Sequence, residues 1–265
     1  MPEKRYAAGR ARALGLPTRG TTSPNRLRRV DRHVVAVHGT LLRSAADPLV
    51  VDLGYGARAT TTVELHARLV AVQPRVEVVG VEIEQERVDA AQDEARPGLR
   101  FVRGGFELAG LRPLLVRCLN VLRQYQQEQA AEAWDTVCAQ LQEGGVLVEG
   151  TCDEIGRRAA WVTLDRSGPR TLTLAAHLPS LDRPSSLAER LPKSLIHQNV
   201  PGRPVHELLR ALDSAWDRAA PYATYGPRQR WVEACASLPW EQVGPQRHRE
   251  GELTVPWSTV DGVRA

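Results

Sequence analysis

Between residue 48 and about residue 149, short apolar runs alternate with stretches whose apolar residues recur every three or four positions. Residues 49–53 (LVVDL) are apolar apart from one acid, which predicts a buried strand. Residues 60–73 carry Val63, Leu65, Leu69 and Val70 and predict a helix that Pro74 ends. The β-branched run 75–83 (RVEVVGVEI) predicts a second strand. Residues 84–96 place Val88, Ala91 and Ala95 on one side of a helix, closed by Pro97-Gly98. Strands follow at 99–103 and 114–119. A helix over 126–142 carries Ala130, Trp134, Val137 and Leu141, and Gly144-Gly145 leads into a fifth strand at 146–149.

Strands and helices in strict alternation predict βαβ units with right-handed crossovers. The expected fold is α/β: a doubly wound, mostly parallel sheet. Ligands in such sheets bind beyond the carboxyl ends of the strands, near the point where strand order reverses. After the fifth strand the pattern changes. Residues 161–164 and 171–178 flank Ser167-Gly168-Pro169 and predict an antiparallel hairpin. Helices are predicted near 205–218 and 228–237, and the residues from about 246 read as a poorly tied tail. Ahead of the sheet, Leu27, Val30, Val34, Val37 and Leu41 fall on one face of a helix starting at Ser23 or Asn25. The organisation expected is a basic arm and helix over residues 1–45, a core over 46–178, and a helical cap and tail over 179–265.

Composition narrows the class. The chain has 265 residues, 42% of them hydrophobic and 25% charged, as in ordinary globular domains. It has no apolar run long enough for a membrane span, and residues 1–15 lack the apolar centre of a signal peptide, so the cytoplasm is the expected compartment. The four cysteines form no C-x-x-C pair and have no histidine at ligand spacing, so neither a metal site nor a disulfide framework is expected. The net charge of +4 is mild, but nine Lys and Arg residues fall within the first 33, opposed only by Glu3 and Asp31. That cluster is a solvated basic face or an arm for phosphates, with nucleic acid as a candidate partner.

The chemistry concentrates at residues 50–65, VVDLGYGARATTTVEL. Gly54 and Gly56 let the backbone turn tightly and approach a ligand, and the helix start behind them favours an anion. Gly54-x-Gly56-x-x-Ala59 also fits a nicotinamide or flavin loop. Asp52 would repel a pyrophosphate but suits an ammonium group. Glu82, at the end of the second strand, suits ribose hydroxyls with either kind of cofactor.

The succession VVDLGYG, VVGVEI, LRFVRGGFEL, LLVRCLNVL and LQEGGVLVEG resembles the class I S-adenosylmethionine-dependent methyltransferases over residues 48 to 178. The resemblance implies a seven-stranded sheet with its last strand antiparallel, and S-adenosylmethionine as cofactor. It implies that Asp52, Gly54 and Gly56 lie under the methionine moiety and that Glu82 holds the ribose. Arg58 stands where many members have a third glycine. After strand three, Gly104-Gly105-Phe106 replaces the usual acid, leaving Gly105 and Phe106 at the adenine and Glu107 as a weaker candidate. The segment RCLNVLRQY is similar to the asparagine-bearing strand end of chemotaxis-receptor carboxyl methyltransferases, which puts Asn120 in the cofactor pocket.

Methyl transfer to an oxygen or nitrogen needs positioning, and a base where the acceptor starts protonated. Asn120, Tyr125 and Glu154 are the catalytic candidates, with Asp153 beside them. Cys118 and Cys152 lack a visible activator. His197 and His206 read as structural or capping residues, or as substrate contacts where their segment forms a lid, and Arg203, Arg228 and Arg230 as solvated surface or as contacts to acidic substrate groups. The acceptor, small molecule or RNA, is not legible. An NAD(P)-dependent oxidoreductase, or a cofactor-binding protein without activity, remains the alternative.

Overall fold

The structure is a computed structural model that describes residues 22–261. The arginines and lysine before residue 22 therefore lie outside the described residues. Among the described residues eight strands form one sheet in the order β3-β2-β1-β4-β5-β6-β7-β8. They are β1 (Leu49–Leu53), β2 (Glu77–Glu82), β3 (Leu99–Arg103), β4 (Leu115–Leu119), β5 (Val146–Cys152), β6 (Arg158–Asp165), β7 (Gly168–Ala176) and β8 (Glu252–Pro256). The four pairings among β1 to β5 are parallel and the three from β5 to β8 antiparallel.

Helices cover both faces, which is why the parallel strands read as continuous apolar runs. On one face, α1 (Arg28–Ser44), α2 (Thr60–Val70) and α3 (Gln85–Ala91) pack on Val50, Val78, Leu115 and Trp161. On the other, α4 (Gln127–Gln140), α6 (Pro204–Arg218) and α7 (Pro227–Ala236), with the short α5 (Lys193–Ile196) between, pack on Val51, Val79, Val116 and Val162. Among the described residues no helix is long and apolar enough to cross a membrane.

The expected α/β architecture stands, with three corrections. The sheet has eight strands, not seven, because the chain returns from the cap and adds β8 to the edge of β7. The residues from 246 are thus not a loose tail: Leu253 and Val255 are buried. The buried stripe of α1 is also rotated. Val37 is 49% exposed, while Asp31, His33, His38 and Leu42 are buried beside Val30 and Val34. Buried ionic partners for Asp31 and His33 turn the helix away from its most apolar stripe.

Candidate functional site at the carboxyl edge of the sheet

Strand order reverses between β1 and β4, so the crevice beyond their carboxyl ends is the place where such a sheet binds ligands. Leaving β1, Gly54 donates its N–H to the Val81 carbonyl at 2.7 Å and adopts φ +71°. A Cβ there would stand 2.5 Å from Val121 Cγ2, so the turn requires glycine. Gly56, at φ +86°, donates its N–H to Glu82 Oε2 at 2.9 Å. Ala59 caps α2 without a side-chain hydrogen bond; its carbonyl takes the Thr62 and Val63 N–H groups, each at 2.9 Å, and no side chain caps the N–H groups of Thr60 and Thr61.

Glu82 ends β2 and is buried. Its Oε1 accepts from the Ile83 N–H at 2.9 Å, its Oε2 from Gly56, and Arg87 Nη1 lies 3.6 Å away. Two backbone donors orient the carboxylate and leave lone pairs for further hydroxyl donors. Tyr55 packs edge-on to Phe101 with ring centroids 5.4 Å apart, and its hydroxyl donates to the Arg87 carbonyl at 3.3 Å.

Asp52 departs from its expected place under an ammonium group. Its Oδ1 accepts from Arg117 Nε at 2.9 Å, and its Oδ2 from Arg117 Nη2 and Thr62 Oγ1, each at 2.6 Å. Arg117, wholly buried on β4, also donates to Asp31 and to the Thr61 carbonyl, and Arg68 closes the cluster on Asp31 at 2.8 Å. Asp52 stands opposite Arg117 in the register of β1 and β4, so both side chains leave the same face. Its carboxylate is spent inside the protein. Arg117, Asp31 and Thr62 are the residues that sequence reasoning missed; an arginine inside the apolar run LLVRCLNVL was the available signal, since a buried guanidinium demands carboxylate partners.

Beyond β3, the Gly105 N–H donates to Glu107 Oε1 at 2.9 Å, which folds that carboxylate back onto its own loop. The buried Leu108 and its neighbour Ala109 adopt φ +52° and +53°, a strained pair for side-chain-bearing residues. Phe106 is half-buried and packs edge-on to Tyr125 with centroids 5.3 Å apart. Burial pushes the Tyr125 phenol up to about 12, so it stands as a neutral donor at physiological pH.

At the end of β4, Asn120 takes φ +65°. Its Oδ1 accepts from the Cys152 N–H at 2.9 Å, and its Nδ2 donates to Cys152 Sγ at 3.2 Å, tying β4 to β5. Burial raises the Cys152 and Cys118 thiols, which argues against nucleophilic roles. Asp153 accepts three backbone N–H bonds, from Ile155, Arg157 and Arg158, and so builds the turn after β5. Glu154 stands exposed on that turn, within electrostatic reach of Arg123. Gly54, Gly56, Glu82, Asn120 and Glu154 thus share the carboxyl edge with Gly105, Phe106 and Tyr125. Asp52 is the exception. Of the cap residues, His206 Nδ1 contacts Asn199 at 3.2 Å, and Arg230 lies 3.9 Å over the Trp216 ring.

No protein-family model matches the chain, and neither does any curated protein. Among solved structures it is similar to the CcbJ methyltransferase of Streptomyces caelestis, at 20% identity over 57% of this chain and 65% of that one, with a TM-score of 0.35. It is similar to human N-acetylserotonin methyltransferase in complex with SAM, at 21% identity over 49% of this chain and 39% of that one, TM-score 0.33. It is also similar to magnesium protoporphyrin IX methyltransferase of Synechocystis PCC 6803 with bound SAM, at 20% identity over 49% and 62%, TM-score 0.36. The chain spans less than two thirds of the length of each. Likeness this distant assigns neither family nor activity, and the functional reading rests on the chain's own residues.

Proposed function

We propose that the chain is an S-adenosylmethionine-dependent methyltransferase acting on an oxygen or nitrogen of its acceptor. The observation that carries this reading is Glu82: a buried carboxylate at the end of β2, held by the N–H of the same glycine loop that turns away from β1. Residues present fit the cofactor. The uncapped start of α2 suits the methionine carboxylate, Glu82 the ribose hydroxyls, and the half-buried ring of Phe106, behind Gly105, the adenine. When bound, the cofactor supplies an electrophilic methyl on a sulfonium. Asn120 holds the ends of β4 and β5 together around it, Tyr125 offers a phenolic hydrogen bond, and Glu154 is the base for a protonated acceptor.

The Asp52–Arg117 pair removes one reason for preferring this cofactor over a nicotinamide, because Asp52 no longer faces the ligand. The three-strand antiparallel extension from β6 to β8 supports the methyltransferase reading. Calorimetric titration with S-adenosylhomocysteine tests it, with NAD as control. Saturable one-site binding is expected, weakened about tenfold or more by Glu82→Gln, which removes charge-assisted hydrogen bonds. Gly54→Ala is expected to abolish it. NAD binding without S-adenosylhomocysteine binding would leave the oxidoreductase reading in its place. Binding of neither would leave a sheet with an inactive edge.

A further inference from the structure

A second concavity lies on the same edge of the sheet, beyond β5. The turn from β5 to β6, the end of β7 and the start of β8 all reach that edge, because β7 runs parallel to β5 and β8 runs against it. The first turns of α1 close the cleft, which encloses about 260 Å³. Gly156 is what brings the walls together: at φ +70°, a Cβ would stand 2.0 Å from the Arg26 carbonyl.

Five arginines line this cleft against two acids, Glu250 and Glu252. Both acids are already answered. Glu252, buried, accepts from Arg247 Nε and Nη2 at 3.0 and 2.5 Å and contacts His33 Nδ1 at 2.8 Å. Glu250 pairs with Arg32 at 2.9 Å. Arg28, Arg29 and Arg157 then form no ion pair among the described residues. Arg29 donates to the Glu250 carbonyl at 2.9 Å, yet its Nε is buried with no acceptor among the described residues. His177, in the same wall, has its pKa lowered by burial and then by Arg29, Arg157 and Arg28, so it senses all three cations.

We propose that Arg28, Arg29 and Arg157 bind the phosphate of a small phosphorylated molecule in this cleft. Three planar forks carrying surplus positive charge suit the oxygens of a phosphate dianion, and the buried Nε–H of Arg29 gains its missing acceptor. The volume suits one or two phosphoryl groups. A nucleic-acid strand needs a track with stacking rings, and among the described residues no Phe, Tyr or Trp lines the cleft. The proposal stands apart from the cofactor reading and is tested without cofactor.

Inorganic pyrophosphate is titrated calorimetrically into the full chain at moderate salt. Saturable binding is expected, weakened about tenfold or more in an Arg28→Ala, Arg157→Ala variant whose thermal unfolding is unchanged. An Arg75→Ala, Arg112→Ala variant removes the same charge from exposed sites beside the amino ends of β2 and β4 and is expected to bind as the parent does. No saturation, or equal weakening in both variants, would overturn the site. Binding of a short single-stranded RNA that depends on Arg28 and Arg157, without pyrophosphate binding, would overturn the small-molecule assignment.

Discussion

Two neighbouring strands bury an ionisable group on opposite faces of the sheet, and they neutralise its cost differently. Arg117 on β4 faces α1 and α2. Glu149 on β5, opposite Cys118 in register, faces α4 on the other side. Burial alone would lower the pKa of Arg117, but the Asp31 and Asp52 carboxylates outweigh it and hold the guanidinium charged. Among the described residues Glu149 has no cation. Trp134 Nε1 donates to its Oε2 at 3.3 Å, its Oε1 has no partner, and burial pushes its pKa up to about 8. One face answers a charge with countercharges; the other answers it with a proton. A charge inside a sheet therefore says nothing about function until its partners are known, and Asp52, legible as a ligand contact, belongs to the paired face.

The largest test breaks the paired face. Arg117→Met leaves the buried Asp52 without a cation and Asp31 with Arg68 alone, and is expected to cost about 3–5 kcal/mol in denaturant unfolding. Adding Asp31→Asn and Asp52→Asn should recover much of that loss. A single variant as stable as the parent would show that the cluster is not what holds α1 to the sheet.

The unpaired face is tested by pH. Folded Glu149 keeps a proton that the unfolded chain releases near its ordinary value of 4.5. The native state then binds more protons, so this contribution to stability falls as pH rises from about 4.5 to about 8 and levels off above. The steepest slope is about 1.4 kcal/mol per pH unit, and Glu149→Gln is expected to remove it. Parallel stability curves for parent and variant between those limits would contradict a protonated Glu149.

The smallest effect sharpens the account of Asp52. Thr62→Val removes one hydrogen bond to its carboxylate and is expected to cost about 1.5 kcal/mol, with S-adenosylhomocysteine affinity unchanged. Weakened binding without lost stability would return Asp52 to the cofactor.

Periodicity placed β1 to β5, their helices and the hairpin of β6 and β7 within a few residues, because alternation between buried strands and amphipathic helices is a local property. The glycine loop and Glu82 were legible for a related reason: positive φ and a strand-terminal acid leave marks in a short stretch. The eighth strand was not. ELTVP is a brief run after a polar segment, and its partner β7 lies more than seventy residues away. The stripe of α1 was misplaced because amphipathicity counts apolar residues, whereas the helix is seated by Asp31 on Arg117 and by His33 on Glu252.

By itself the sequence determined the α/β class, the order of the elements and the turn at Gly54-Tyr55-Gly56, since each depends on neighbours a few residues apart. Tertiary structure alone decided which charges face each other. It turned Asp52 inward, left Glu82 at the edge, and gathered arginines from α1 and from the turn after β5 around one cleft. Those outcomes depend on register and helix seating across the chain, and the energy of a charge is set by what packing brings within a few ångströms of it.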